Sequence, residues 1–107
     1  VLIYVKNELK VREIEDIPGA TGCENYWCEI RTKECEIAIG VYYRSPSATL
    51  EENEAMLQSI NQQVKNSNMI TGDFNYPNIN WTNLHSTTDG ERFLSLSLDN
   101  YLHQHIL

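Results

Sequence analysis

The segment that most restricts the fold is Cys35–Tyr43, because seven of its nine residues are apolar or aromatic. A strand that is apolar on both of its faces is usually buried on both, so this segment predicts a central strand. Asn25–Arg31 is similarly rich in aromatic and apolar residues, and a polar turn at 32–34 separates the two segments. Together they predict an antiparallel hairpin.

Two further strands are predicted nearer the start of the chain. Val1–Val5 has the composition of a short buried strand, and Leu9–Ile14 alternates apolar with charged residues as an edge strand does. Between these strands and the hairpin, Asp16–Gly22 contains a Pro-Gly step and predicts a loop.

A helix is predicted after the apolar strand, beginning at a capping box. Thr49 provides the capping hydroxyl and Glu52 follows three residues later. The apolar residues that recur on one face of this helix are Leu50, Leu57, Ile60 and Val64.

A second strand and helix complete the predicted order of elements. Met69-Ile70-Thr71 predicts a short strand, and another helix is expected to begin near Asp89 or Gly90. This order of elements predicts an α/β fold in which helices pack on a sheet. The residues that the last helix is expected to bury are Phe93, Leu94, Leu98, Tyr101 and Leu102.

Length and composition narrow the possible function classes. A chain of 107 residues is the size of one domain, and its ends lie within apolar patterns, so we expect a fragment of a longer protein. The net charge of −7 argues against nucleic-acid binding by bulk attraction, although an enzyme can reach phosphate through a metal and a few polar groups. The sequence predicts no membrane partner, and its three cysteines fit reduced thiols in an intracellular protein.

Two pairs of polar residues lie at the ends of predicted strands and could carry chemistry. Asp73 could hold or deprotonate a water, while Asn75 could donate a hydrogen bond to a developing oxyanion. The alternative is a turn in which both side chains bond nearby backbone. Tyr43 and Arg44 could grip a phosphate, or Tyr43 could cap the sheet while Arg44 pairs with a carboxylate. The sequence leaves these alternatives open.

Taken in order, "VYYRSP", the amphipathic helix and "ITGDFNYPNINW" resemble the endonuclease/exonuclease/phosphatase superfamily. More narrowly, "GDFN" followed by "YPNINW" is similar to the endonuclease domain of non-LTR (LINE-type) retrotransposons. The opening "VLIYVKN", the hairpin and the closing "LSLDNYLHQHI" extend the resemblance over the whole chain. It implies a partial four-layer α/β sandwich with a largely antiparallel or mixed sheet, in which residues 1–107 are the central fragment of one domain.

The resemblance also implies an activity and a set of residue roles. Such enzymes hydrolyse phosphodiesters with Mg²⁺ (or Mn²⁺). The retroelement members nick target DNA in the nucleus and leave a 3′-hydroxyl, which primes reverse transcription by the downstream reverse transcriptase domain. By the same resemblance, Asp73 activates the attacking water, Asn75 stabilises transition-state charge and Tyr43 contacts the scissile phosphate. Trp81 is expected to anchor its own loop by packing.

Other residues that the resemblance requires are missing from this sequence. The family uses an Asn and a metal-binding Glu before the "IYV" segment, and an Asp-His pair near the end of the domain, beyond the last helix of this chain. We therefore expect no metal ligand set within the chain. For the same reason we expect the isolated chain to be inactive. The alternatives are a non-catalytic or decayed interaction module that retains the fold, and a phosphodiesterase acting on a phosphate ester other than DNA.

Overall fold

The computed structural model describes residues 1–14, 23–64, 68–88 and 90–105. They divide into two compact units, Val1–Phe74 and Asn75–Leu107. The first unit contains the sheet and one helix, and the second contains a loop and one helix. The elements in chain order are β1 (Lys10–Ile14), β2 (Glu24–Arg31), β3 (Glu36–Tyr43), α1 (Leu50–Gln63), β4 (Asn68–Asp73) and α2 (Gly90–Asp99).

The four strands form one mixed sheet in the order β1-β2-β3-β4. β1 pairs antiparallel with β2, β2 pairs antiparallel with β3, and β3 pairs parallel with β4. The predicted hairpin, the central position of β3 and the edge position of β1 are therefore confirmed. A parallel pair needs a crossover connection, and α1 supplies it between β3 and β4.

The core of the first unit is organised around Trp27, which is 2% exposed. Trp27 lies opposite Gly40 in the β2–β3 pair, and a Cβ built on Gly40 would stand 2.4 Å from two indole carbons. The indole nitrogen donates a hydrogen bond of 2.8 Å to the Tyr42 phenol oxygen. That oxygen also lies 2.9 Å from the hydroxyl of Ser59, so a buried hydrogen-bond chain joins the sheet to α1.

Helix α1 begins as the capping box predicts. The Thr49 hydroxyl accepts from the Glu52 amide, and the Glu52 carboxylate accepts from the Thr49 amide, both at 3.1 Å. Leu57 and Ile60 are buried as expected, but Leu50 is 81% exposed, so its predicted place on the buried face is wrong. Leu50 is the first residue of the helix, where the Cα–Cβ bond tilts toward the N-terminus and away from the packed turns.

Val1–Val5 is not a strand, so that prediction is wrong. Its Tyr4 side chain is 90% exposed. Apolar composition favours a strand only where a partner strand offers hydrogen bonds and a surface to pack on. The loop predicted over Asp16–Gly22 lies outside the described residues.

Helix α2 buries Phe93 and Leu94 as predicted, but Leu98 and Tyr101 are exposed, the latter at 88%. The helix ends at Asp99, and Tyr101 follows it in a left-handed conformation with φ of 57°. The helical periodicity therefore does not extend to Tyr101. Neither helix in the described part of the chain is long and apolar enough to cross a membrane.

All three cysteines are free thiols. Cys23 and Cys28 are buried, whereas Cys35 is exposed. Burial raises the pKa of the Cys23 and Cys28 thiols above the ordinary value, which keeps them protonated near neutral pH.

The close approach of β3 and β4 depends on Gly72. It lies opposite Tyr42 with a φ of 151°, a backbone conformation that side chains rarely adopt. A Cβ at this position would stand 1.9 Å from the Tyr42 carbonyl oxygen. Any side chain there would push the ends of the two strands apart.

The indole contact with Gly40 can be tested by Gly40→Ala. The added methyl overlaps the buried ring, so the free energy of unfolding should fall by about 1–3 kcal/mol. Urea titration followed by circular dichroism measures the change. In a Trp27→Val background the same exchange should cost much less, because the ring is gone. Equal losses in both backgrounds would contradict the contact.

Gly72→Ala tests the approach of the two parallel strands. Strain at the left-handed φ and the clash with a carbonyl oxygen should together lower the free energy of unfolding by more than about 2 kcal/mol. Thr71→Ala is the matched control, because Thr71 is the exposed preceding residue of the same strand. A Gly72 variant as stable as the control would show that β4 does not approach β3 this closely.

Candidate active site

Two of the predicted site residues meet at one edge of the sheet. Tyr43 is the last residue of β3, Asp73 is the last residue of β4, and the two are register partners in the parallel pair. Because parallel strands end at the same edge, residues far apart in sequence become neighbours there. Tyr43 is 42% exposed and Asp73 is also exposed, so both side chains are accessible to a solvent-borne ligand.

Arg44 does not share this exposure, because its residue is 3% exposed. Its amide donates to the Asp73 carbonyl oxygen at 2.8 Å. Its guanidinium donates through Nε to the Asn53 side-chain oxygen at 3.0 Å and through Nη1 to the Phe74 carbonyl oxygen at 3.2 Å. A side chain this deeply buried leaves no room for a phosphate against it, so the hypothesis that Arg44 grips a phosphate is wrong.

The sequence contained one signal for this contact. Asn53 is a polar residue on the buried face of α1, between the cap and the buried Met56 and Leu57. Buried amides are hydrogen-bonded in native structures, so a buried Asn requires a polar partner nearby. Sequence reasoning did not identify Asn53, because the neighbouring apolar residues alone were sufficient to predict the helix.

Phe74 is held through both its ring and its backbone. The ring stacks on Tyr42 with 5.9 Å between centroids and 27° between planes, while the carbonyl accepts the Arg44 hydrogen bond. Tyr42 is itself fixed by the hydrogen bond from Trp27. The residue that follows Asp73 is therefore tied to the core of the first unit.

Asn75 is the first residue of the second unit and is half-buried. Its φ of 54° is left-handed, a conformation that Asn tolerates better than most residues because its short polar side chain can bond locally. This backbone geometry fits both a turn residue and a residue aimed at a ligand. The catalytic role of Asn75, like those of Asp73 and Tyr43, stays a prediction.

The loop of the second unit is anchored by aromatic packing. Tyr76 packs against Phe93 with ring centroids 4.9 Å apart, and Trp81 meets the same ring edge-on at 6.2 Å. Asn80 and His85 exchange backbone hydrogen bonds of 2.7 and 3.1 Å across the intervening turn. The prediction that Trp81 anchors this loop by packing is confirmed.

The described residues do not compose a metal site by themselves. They contain no group of three or more His, Cys, Asp or Glu side chains placed to hold an ion. Among Tyr43, Asp73 and Asn75, only Asp73 carries a carboxylate, whereas Mg²⁺ takes six oxygen ligands and is usually bound through one or two carboxylates. His103 and His105 follow the end of α2 and are exposed.

Comparison with known proteins identifies the family. The sequence profile described as endonuclease-reverse transcriptase matches residues 37–106. The fold is similar to the endonuclease domain of TRAS1, a telomere-specific non-LTR retrotransposon, with a TM-score of 0.63 and 20% identity. That alignment covers 89% of this chain and 42% of the TRAS1 chain, so this chain spans about two fifths of that length. Comparison with curated protein sequences finds no match.

The structural likeness and the sequence match carry different conclusions. At 20% identity the likeness shows the fold alone, and a mixed four-stranded sheet with two helices agrees with the predicted partial α/β sandwich. The sequence match covers well over half of the chain and agrees with the resemblance drawn from "GDFN" and "VYYRSP". The chain therefore belongs to the endonuclease-reverse transcriptase family.

Proposed function

We propose that this chain forms part of the DNA-nicking endonuclease domain of a non-LTR retrotransposon protein. Membership of the endonuclease-reverse transcriptase family and a fold like that of the TRAS1 endonuclease domain support the proposal. The observation that carries it is the register pairing of Tyr43 with Asp73 at an exposed sheet edge. Side chains at strand ends are held more rigidly than those on free loops, as catalysis requires.

In the proposed reaction, the oxygen of a water attacks the scissile phosphorus and the bond from phosphorus to the 3′ oxygen breaks. The Asp73 carboxylate orients the water and accepts its proton. The Asn75 amide N–H donates to a phosphate oxygen, where negative charge grows in the transition state. The Tyr43 hydroxyl donates a hydrogen bond to a second phosphate oxygen. The leaving oxygen takes a proton from solvent water and becomes the 3′-hydroxyl.

The charge distribution along the chain is compatible with an approaching phosphate. The chain carries 15 acidic and 8 basic residues, yet residues 74–88 contain no Asp, Glu, Lys or Arg. The segment after Asp73 therefore adds no charge that would repel a polyanion. With a net charge of −7, the chain should not supply the bulk attraction for DNA, which we assign to other parts of the longer protein.

We extend the proposal to the cofactor and to the partner domain. The resemblance implies a divalent cation, Mg²⁺ or Mn²⁺, which would be bound mainly by a Glu outside this chain. No step above is assigned to it. The 3′-hydroxyl would prime DNA synthesis by a reverse transcriptase domain of the same polyprotein, and the reaction would take place in the nucleus.

Two isosteric exchanges in the longer protein test the assigned roles. Asp73→Asn removes the proton acceptor, and Asn75→Asp replaces the donor while keeping a residue that tolerates left-handed φ. Each should slow plasmid nicking by at least about 100-fold. Asp99→Asn, at the exposed end of α2, is the control and should leave the rate unchanged. Full activity in the Asp73 variant would refute the proposal. A parent protein that cleaves another phosphate ester but not DNA would favour the alternative substrate class.

The isolated 107-residue chain should not nick DNA. Supercoiled plasmid incubated with the chain and Mg²⁺ should remain supercoiled, because the metal-binding Glu and the catalytic His of the family are missing from the sequence. The longer protein under identical conditions is the positive control. Turnover by the isolated chain that disappears in Asp73→Ala would contradict this expectation.

A further inference from the structure

We infer that Arg44 is a positioning residue, which, supported by Asn53, holds the backbone on the C-terminal side of Asp73 in the geometry that the reaction needs. This inference rests on the proposed function, because it assigns Arg44 a role in placing the proposed catalytic carboxylate. It differs from the phosphate-gripping role, since Arg44 is buried and acts through its neighbours.

The contacts of Arg44 connect three parts of the first unit. Arg44 directly follows the end of β3. Its Nε donates to the side chain of Asn53 on α1, and its Nη1 donates to the carbonyl of Phe74, which follows β4. The planar guanidinium directs several donors in fixed directions, so the two acceptors are held at a fixed separation. A Lys ammonium on a flexible stem cannot impose that separation.

The burial of Arg44 argues that this geometry matters. Arg44 is 3% exposed, so its guanidinium carries a desolvation cost, and replacing a buried charged group by an apolar residue of similar volume often leaves a protein no less stable. Asn53 is likewise buried, at 4% exposure, and the other buried residues of α1 are Met56, Leu57, Ser59 and Ile60. A buried polar pair of this kind contributes a defined arrangement more than it contributes stability.

The contacts of Arg44 restrain the backbone at Asp73 and Phe74. The Asp73 carbonyl accepts from the Arg44 amide, and the next carbonyl, that of Phe74, accepts from the Arg44 guanidinium. Both carbonyls bound to Arg44 therefore flank the Cα of Phe74. The Phe74 ring also packs on Tyr42. The Asp73 side chain starts from a backbone that is fixed on its C-terminal side.

The test uses two variants of the longer protein and compares kcat with KM. Arg44→Lys keeps the charge but loses the planar fork, and Asn53→Ala removes the acceptor on α1. Because a displacement of about 1 Å can cost about 100-fold in rate, kcat should fall about 10- to 100-fold with KM unchanged within about twofold. The matched controls are Arg12→Lys, which alters an exposed Arg of β1, and Gln58→Ala, which alters an exposed residue of α1.

Hydrogen exchange on the same preparations gives a readout that does not depend on activity. The Arg44 amide, which is bound to the Asp73 carbonyl, should exchange faster in both variants, while amides of the β2–β3 pair should keep their protection. Asn53→Ala leaves Arg44 itself unchanged. If Arg44→Lys does not fold, the Asn53 variant therefore still tests whether Arg44 positions the backbone at Asp73.

The outcomes separate this inference from the proposed function. A fall in kcat with local loss of protection supports positioning. A rise in KM with kcat unchanged would mean that Arg44 contacts substrate, and unchanged kinetics and exchange would mean that it positions nothing; either result overturns the inference. A parent protein that never nicks DNA refutes the proposed function alone, and the exchange measurement then still decides whether Arg44 orders residues 73 and 74.

Discussion

The parallel pairing of β3 with β4 is the contact on which the candidate site depends. It brings the ends of two strands, Tyr43 and Asp73, to one edge of the sheet. It requires a crossover, which α1 supplies, and a position without a side chain, which Gly72 supplies opposite Tyr42. If the strands were shifted by one residue, the side chains of one strand would change faces, and Tyr43 and Asp73 would no longer be register partners.

The packing beneath this edge explains why the edge can stay exposed and still be ordered. Tyr42 contacts Trp27 on β2, Ser59 on α1 and Phe74 beyond β4, so its ring links three elements of the first unit. Arg44, two residues after Tyr42, links Asn53 of α1 to the backbone carbonyl of Phe74. Alternation along β3 and into the next residue thus buries Tyr42 and Arg44 and exposes Tyr43, the residue proposed to contact the phosphate.

Much of this arrangement could be predicted from the sequence where a local rule is sufficient. The apolar run of β3 and the capping box at Thr49 each specify an element without reference to the rest of the chain. The wrong predictions concern a segment without a strand partner and residues at the ends of helices. Val1–Val5 has a strand composition without a strand partner, and Leu50 and Tyr101 lie where their helices begin or have ended. The burial of Arg44 depends on Asn53, nine residues away, and on Phe74, thirty residues away. The one local signal, a polar residue on the buried face of α1, does not by itself identify Arg44 as the partner.

The central claim is that Tyr43 and Asp73 act on one phosphate from neighbouring strand ends. A double-mutant cycle in the longer protein tests it most directly, using nicking rates of the parent, Tyr43→Phe, Asp73→Glu and the double variant. If both residues act in one transition state, the double variant should lose clearly less than the product of the two single losses. If the two losses multiply, the residues act independently and the pairing at the sheet edge is not a shared active site.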